Sequence, residues 1–161
     1  MLDLPIEVVR MDHVALASWD AEGPARMLTE VLGARFLSGG DATQAGFRWL
    51  QFTLPGGKVE VLEPLHDQGF LHRFLTKRGP GLHHVTLFVR DLEASIPRLG
   101  QAGFAPVDVD LSHDDWKEAF LHPRDTSGVL IQLAQVREGS EPPSPDRTLE
   151  EFLADRPGLR G

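Results

Sequence analysis

Two histidines, a glutamate and a glutamine are the side chains whose types and spacing could do chemistry. His13 lies in Met11-Asp12-His13-Val14-Ala15-Leu16-Ala17-Ser18-Trp19-Asp20-Ala21-Glu22. With a shift of 71 residues it falls on His84, and Val14, Leu16, Asp20 and Glu22 fall on Val85, Leu87, Asp91 and Glu93. A second match has a shift of 72: Glu60 in Val59-Glu60-Val61-Leu62 falls on Gln132 in Ile131-Gln132-Leu133-Ala134. These matches suggest two copies of one unit. A pseudo-twofold axis between the copies would bring His13 and Glu60 opposite His84 and Gln132. Two imidazoles, a carboxylate and an amide oxygen suit one divalent ion of cobalt, nickel, zinc, manganese or iron. Four protein ligands in an octahedral shell leave two positions for water or substrate, as a Lewis acid requires. The donors carry about one negative charge, so the centre stays positive and can stabilise an enolate oxygen. Taken singly, a strand histidine is more often structural and a strand glutamate is usually solvated. Recurrence at equivalent places, on otherwise apolar faces, carries the metal reading. His83 alternates to the opposite face from His84 and reads as structural or exposed.

These side chains need strands beneath them. Residues 7–18 alternate as a strand, with Val9, Met11, His13, Ala15 and Ala17 on one face. Residues 21–32 carry a helical apolar stripe stopped by Gly33, and a short strand is expected at 34–37. Ser38-Gly39-Gly40-Asp41 reads as a loop. Residues 47–54 and 58–62 form a hairpin across Pro55-Gly56-Gly57, ended by Pro64. A linking helix is expected over 68–78, a strand over 82–89, and a helix over 92–101 that Pro97 shortens or kinks. Strands at 104–107, 116–122 and 128–135 complete the second unit. The sequence therefore predicts an α+β fold of two paired βαβββ modules, 7–65 and 82–136, forming a curled sheet around a cleft within one domain of residues 7–136. A tail of residues 137–161 follows, irregular at 138–145, with a helical turn or two at 148–154.

Composition narrows the function classes. The chain has 161 residues, 41% hydrophobic and 25% charged, as in an ordinary globular protein. A net charge of −8 argues against nucleic acid as partner. No apolar run approaches the roughly 20 residues of a membrane span, the N-terminal residues do not resemble a signal peptide, and there is no cysteine. A cytoplasmic protein with a small-molecule substrate is the expectation.

These residues resemble the vicinal oxygen chelate superfamily of glyoxalases, epimerases, extradiol dioxygenases and bleomycin-binding proteins. The likeness is nearest to its methylmalonyl-CoA epimerase branch. It runs through Asp12-His13-Val14-Ala15, Val59-Glu60-Val61-Leu62-Glu63-Pro64-Leu65, Phe74-Leu75 with Gly81-Leu82-His83-His84, Phe120-Leu121-His122-Pro123-Arg124, and Gly128-Val129-Leu130-Ile131-Gln132-Leu133. The resemblance implies a metal in the cleft, a homodimer, and ligands at His13, Glu60, His84 and Gln132. It implies proton transfer next to a metal-bound carbonyl of an acyl-CoA or 2-oxo compound, by an isomerase, epimerase or lyase. Two positions depart from the epimerase pattern. Gln132 replaces a glutamate, and an amide cannot act as a base at neutral pH. The segment 111–118 is bulky and acidic where the epimerases are glycine-rich. Glu60, the one carboxylate among the four, is then the candidate base. His113, Asp114 and Asp115 are alternatives, or else a solvated helix start. Arg73, Lys77 and Arg78 form either an anion site or an exposed helix face. Phe47, Trp49 and Gln51 line the cleft or belong to the core. A metal-free sequestering protein and a non-haem iron dioxygenase are the competing functions. The absence of tyrosine counts against the dioxygenase, and the histidine pair counts against the sequestering protein.

Overall fold

A computed structural model describes residues 4–137, 139 and 145–157. Most of the proposed irregular segment at 138–145 lies outside them. Eight strands form one mixed sheet in the order β2-β3-β4-β1-β5-β8-β7-β6. They are β1 (Val8–Ala17), β2 (Arg35–Ala42), β3 (Phe47–Leu54), β4 (Gly57–Pro64), β5 (Gly81–Val89), β6 (Val107–Asp110), β7 (Trp116–Leu121) and β8 (Leu130–Val136). The order leaves β2 and β6 as edges, so the sheet does not close. The helices are α1 (Glu22–Arg26), α2 (Phe70–Arg78), α3 (Leu92–Gln101) and α4 (Leu149–Ala154). The α+β class and the βαβββ element order are thus as expected. The chain divides into two compact units, residues 1–13 with 84–141, and residues 14–83 with 142–161.

In the first unit β8 runs parallel to β5 and antiparallel to β7. Alternation gives the sheet two different faces. Val89, Leu92, Leu99, Ala119 and Leu133 form the core under α3, with Leu87, Leu121 and Ile131 against it. Asp91 caps α3 by accepting from the Ala94 N–H, and the Leu92 N–H donates to Gln135 Oε1 on β8. The helix continues through Pro97 to Gln101, so the proline does not shorten it. By register, His84, Thr86 and Phe88 of β5, Gln132 and Ala134 of β8, and Glu118 and Phe120 of β7 occupy the opposite face.

In the second unit Leu50, Phe52 and Val61 face α1 and α4, packing against Ala21, Ala25, Leu28 and Phe152. The other face carries Leu62 with Ala15 and Ala17 against Leu71 and Leu75 of α2. Helix α4 begins with a capping box, in which Thr148 and Glu151 satisfy each other's backbone N–H. Phe152 is 3% exposed, so this part of the tail is core rather than appendage. Arg48 of β3 anchors it. Its guanidinium donates to both Asp41 oxygens at 2.6 and 2.9 Å and to the carbonyls of Phe152 and Asp155 at 2.8 and 2.6 Å.

Several local expectations are corrected. The helix expected over 21–32 ends as α-helix at Arg26 and continues as a wider π-helical turn over Met27–Val31. The supposed loop at 38–41 is strand: β2 runs through Gly39 and Gly40, which pair with Leu50 and Trp49. A Cβ at Gly39 would lie 2.7 Å from Leu50 Cδ2 and 3.1 Å from the Trp49 carbonyl, so the bare backbone permits close pairing there. The strand expected at 104–107 begins only at Val107, and the strand expected at 58–62 runs from Gly57 to Pro64, which ends it as expected. Residues 112–115 form an exposed turn before β7, not a helix start.

Candidate functional site

The first unit places three of the four proposed ligands on neighbouring strands. His13 of β1, His84 of β5 and Gln132 of β8 are 2%, 6% and 7% exposed. The two imidazole rings meet edge to face with centroids 5.6 Å apart. Thr86, fully buried two residues beyond His84 on the same face, lies between the other groups. Its hydroxyl is 3.0 Å from His13 Nε2 and donates to Gln132 Oε1 at 2.6 Å.

The tautomer of His13 follows from its other nitrogen. Nδ1 lies 2.9 Å from Oδ2 of Asp12, itself buried. A carboxylate only accepts, so Nδ1 carries the proton and Nε2 the lone pair. Nε2 and Oε1 are then two acceptors converging on one hydroxyl proton. This donor set fits a divalent cation, because an imidazole backed by a carboxylate is oriented and made more basic as a ligand. Arg10 steadies Asp12 from the other side at 3.2 Å and stacks over Phe88.

Gln132 is held at both ends. Its Nε2 donates to Glu118 Oε2 at 2.7 Å, and the Trp116 indole N–H donates to the same oxygen at 2.8 Å. Phe88 packs edge-on against Trp116.

In the second unit Glu60 of β4 is 8% exposed and pairs with Gln51 across the hairpin. Gln51 Nε2 donates to Glu60 Oε2 at 2.9 Å. His83 is packed against Phe70 and Phe74 of α2. Burial pushes its pKa down to about 4 against the opposing pull of the Glu60 carboxylate, so at neutral pH it is uncharged. Trp49 and Phe47 pack around the α2 core. Arg73, Lys77 and Arg78 are exposed at or near the end of α2, and Lys77 and Arg78 in its last turn complement the helix dipole. His113, Asp114 and Asp115 are exposed.

Sequence reasoning missed Asp12, Thr86 and Glu118. Each had a signal: Asp12 is the neighbour of His13, Thr86 is two residues past His84 on the same strand face, and Glu118 is an acid between Trp116 and Phe120 on one strand face.

A family model for the glyoxalase/bleomycin resistance protein/dioxygenase superfamily matches residues 12–120. The chain belongs to this superfamily. It is 34% identical over 131 residues to the ethylmalonyl-CoA/methylmalonyl-CoA epimerase of Cereibacter sphaeroides, covering 79% of this chain and 98% of that one. It is 30% identical over 130 residues to the human mitochondrial methylmalonyl-CoA epimerase, covering 79% and 74%. The crystal structure of methylmalonyl-CoA epimerase from Mycobacterium tuberculosis superposes with a TM-score of 0.74 at 28% identity, over 85% of this chain and 93% of that one. These relatives stand on the enzyme side of a superfamily that also contains binding proteins. Among the described residues no helix is long and apolar enough to cross a membrane.

Proposed function

We propose that this chain is a divalent-metal-dependent enzyme of epimerase type, moving a proton at the carbon next to the thioester carbonyl of an acyl-CoA. His13, His84 and Gln132 would hold the ion, with Glu60 as the carboxylate of the proposed donor set. One observation carries the reading: the lone pairs of His13 Nε2 and Gln132 Oε1 converge on the Thr86 proton, with Asp12 fixing the imidazole behind them. The names of the relatives supply the substrate class.

A divalent ion bound there supplies Lewis acidity towards the carbonyl oxygen. The protein's own residues do the rest. Gln132 is an amide and cannot accept the carbon-bound proton. Glu60 can, and Gln51 orients its carboxylate while leaving its charge in place. Glu60, released from the donor set, would therefore take the α-proton, and inversion follows when a proton returns to the opposite face of the planar enolate. Burial of both histidines keeps bulk water from competing with the substrate oxygen.

Elemental analysis of purified wild type beside His84→Ala and Glu60→Ala tests the metal. About one divalent ion per chain, lost in both variants, is expected. No ion after incubation with nickel, cobalt, zinc and manganese would sink the metal reading. The chemistry is tested by incorporation of deuterium from D2O at the α-carbon of 2-methyl-branched dicarboxylic acyl-CoAs. Exchange with a 2-oxoaldehyde and none with any acyl-CoA would sink the substrate class.

A further inference from the structure

The proposed metal site contains an amide where a carboxylate would have two equivalent oxygens. An amide has a right end and a wrong end. Turned one way, Gln132 offers Oε1, a ligand; turned the other, it offers an NH2 group, which no cation accepts. Something has to decide between them, and the structure contains a group placed to do so.

Glu118 of β7 lies on the same sheet face as Gln132 of β8. Its Oε2 accepts from Gln132 Nε2 at 2.7 Å. A carboxylate only accepts, so the NH2 end of the amide is the end that faces it. Flipping Gln132 would set Oε1 against the carboxylate and an NH2 group against the Thr86 hydroxyl. Glu118 is itself seated. The Trp116 indole N–H donates to the same Oε2 at 2.8 Å, and Trp116 packs on Phe88. The chain Phe88, Trp116, Glu118, Gln132, Thr86, His13 thus runs from a packed aromatic pair to the imidazole without a free rotor.

We infer that Glu118, seated by Trp116, is the positioning residue that keeps Gln132 Oε1 turned toward the cation and so makes a glutamine serve as ligand. The inference rests on the metal reading above. It explains how the amide is tolerated at a position where the resemblance implies a glutamate. It also gives residue 118 a strict chemical requirement: an acceptor oxygen, whether charged or not.

The test is Co2+ affinity, measured by competition with a chromophoric chelator, together with the visible absorption of the bound ion. Loss of an outer partner of a metal ligand typically costs roughly 10–100-fold in affinity, and that loss is expected for Glu118→Leu. Glu118→Gln keeps an acceptor oxygen for both donors, so its affinity should stay within about a factor of three of wild type, with the Co2+ spectrum unchanged. The decisive comparison is in a Gln132→Glu background. A carboxylate has no wrong end, and there Glu118 only repels it. In that background Glu118→Leu should leave affinity unchanged or raise it. Equal losses from Glu118→Leu in both backgrounds would mean that the acid acts through its field, and would overturn the inference. So would equal losses for Leu and Gln at 118, or no loss for Leu. Wild type that binds no Co2+ overturns the metal reading and this one with it. Binding lost in His84→Ala yet indifferent to Glu118→Leu overturns this one alone.

Discussion

Replacing Arg48 by methionine should destabilise the chain by about 3 kcal/mol, at the lower end of the roughly 3–5 kcal/mol lost when one partner of a buried ion pair is removed. The Arg48 side chain is almost fully buried, and its guanidinium meets Asp41, Asp155 and Glu63, the last at 3.5 Å. Methionine retains much of the apolar stem and none of the donors. Asp41 and Asp155 have side chains 24% and 64% exposed, so water replaces the lost cation there at little cost. Glu63, only 5% exposed, has no such recourse. Burial already holds its pKa above the ordinary value, against the Ala21 N–H and the Arg48 charge. The carbonyls of Phe152 and Asp155 lose a donor as well. In a chain of this size 1 kcal/mol is worth about 2–4 °C, so the melting temperature should fall by roughly 6–12 °C in a thermal scan followed by circular dichroism at pH 7. Adding Glu63→Gln to Arg48→Met removes the stranded charge and should recover at least about 1 kcal/mol. A shift below about 2 °C for Arg48→Met, or no recovery in the double variant, would refute the reasoning.

Asp12→Asn should loosen the tautomer of His13 and weaken divalent-metal binding roughly 10–100-fold in a competitive titration; unchanged affinity would show that Asp12 is not the group that prepares the imidazole. Acid stability should report Asp41, whose carboxyl the Arg48 guanidinium holds below the ordinary range, helped by Arg147 and opposed by burial. A depressed folded-state pKa stabilises fully above the unfolded value of about 3.9 and stops doing so as pH falls through the folded one. Asp41→Asn should therefore lower stability at pH 7 and flatten the decline below about pH 4 in denaturant titrations; an unaltered acid limb would count against it.

How much of this was legible follows the physics of each signal. Strands β1, β3, β4, β5, β7 and β8 carry side chains whose alternation is decided by burial on one face, and their positions could be read within a residue or two. Helices α2 and α3 show their stripes as directly. The errors fall where structure depends on a partner distant in sequence. Gly39 and Gly40 look like a loop because glycine usually marks one. They are strand because Leu50 and Trp49 approach too closely for side chains. The π-helical turn after Arg26 left no mark in the apolar pattern. Of the four proposed ligands, the repeat pointed to the residues but not to what orients them. Thr86 and Glu118 are ordinary residues in a strand pattern, and only cross-strand register shows that they touch Gln132. Arg48 was invisible for the same reason, since its partners are 7 to 107 positions away along the chain.

The membership of the two units also bears on how the chain is made. Domains commonly fold in order as they leave the ribosome, N-terminal part first. Here that order is blocked. The unit containing residues 14–83 borrows Phe152 and α4 for its core, and the one containing residues 84–141 takes in residues 1–13. The half of β1 that carries His13 precedes residues 14–83 in the chain, yet belongs with strands that follow them. Strands β2, β3 and β4 can pair as they are made, but neither unit is complete until a segment distant in the chain has joined it. Helix α4, six residues long, is the distant piece that completes the core of the unit containing residues 14–83.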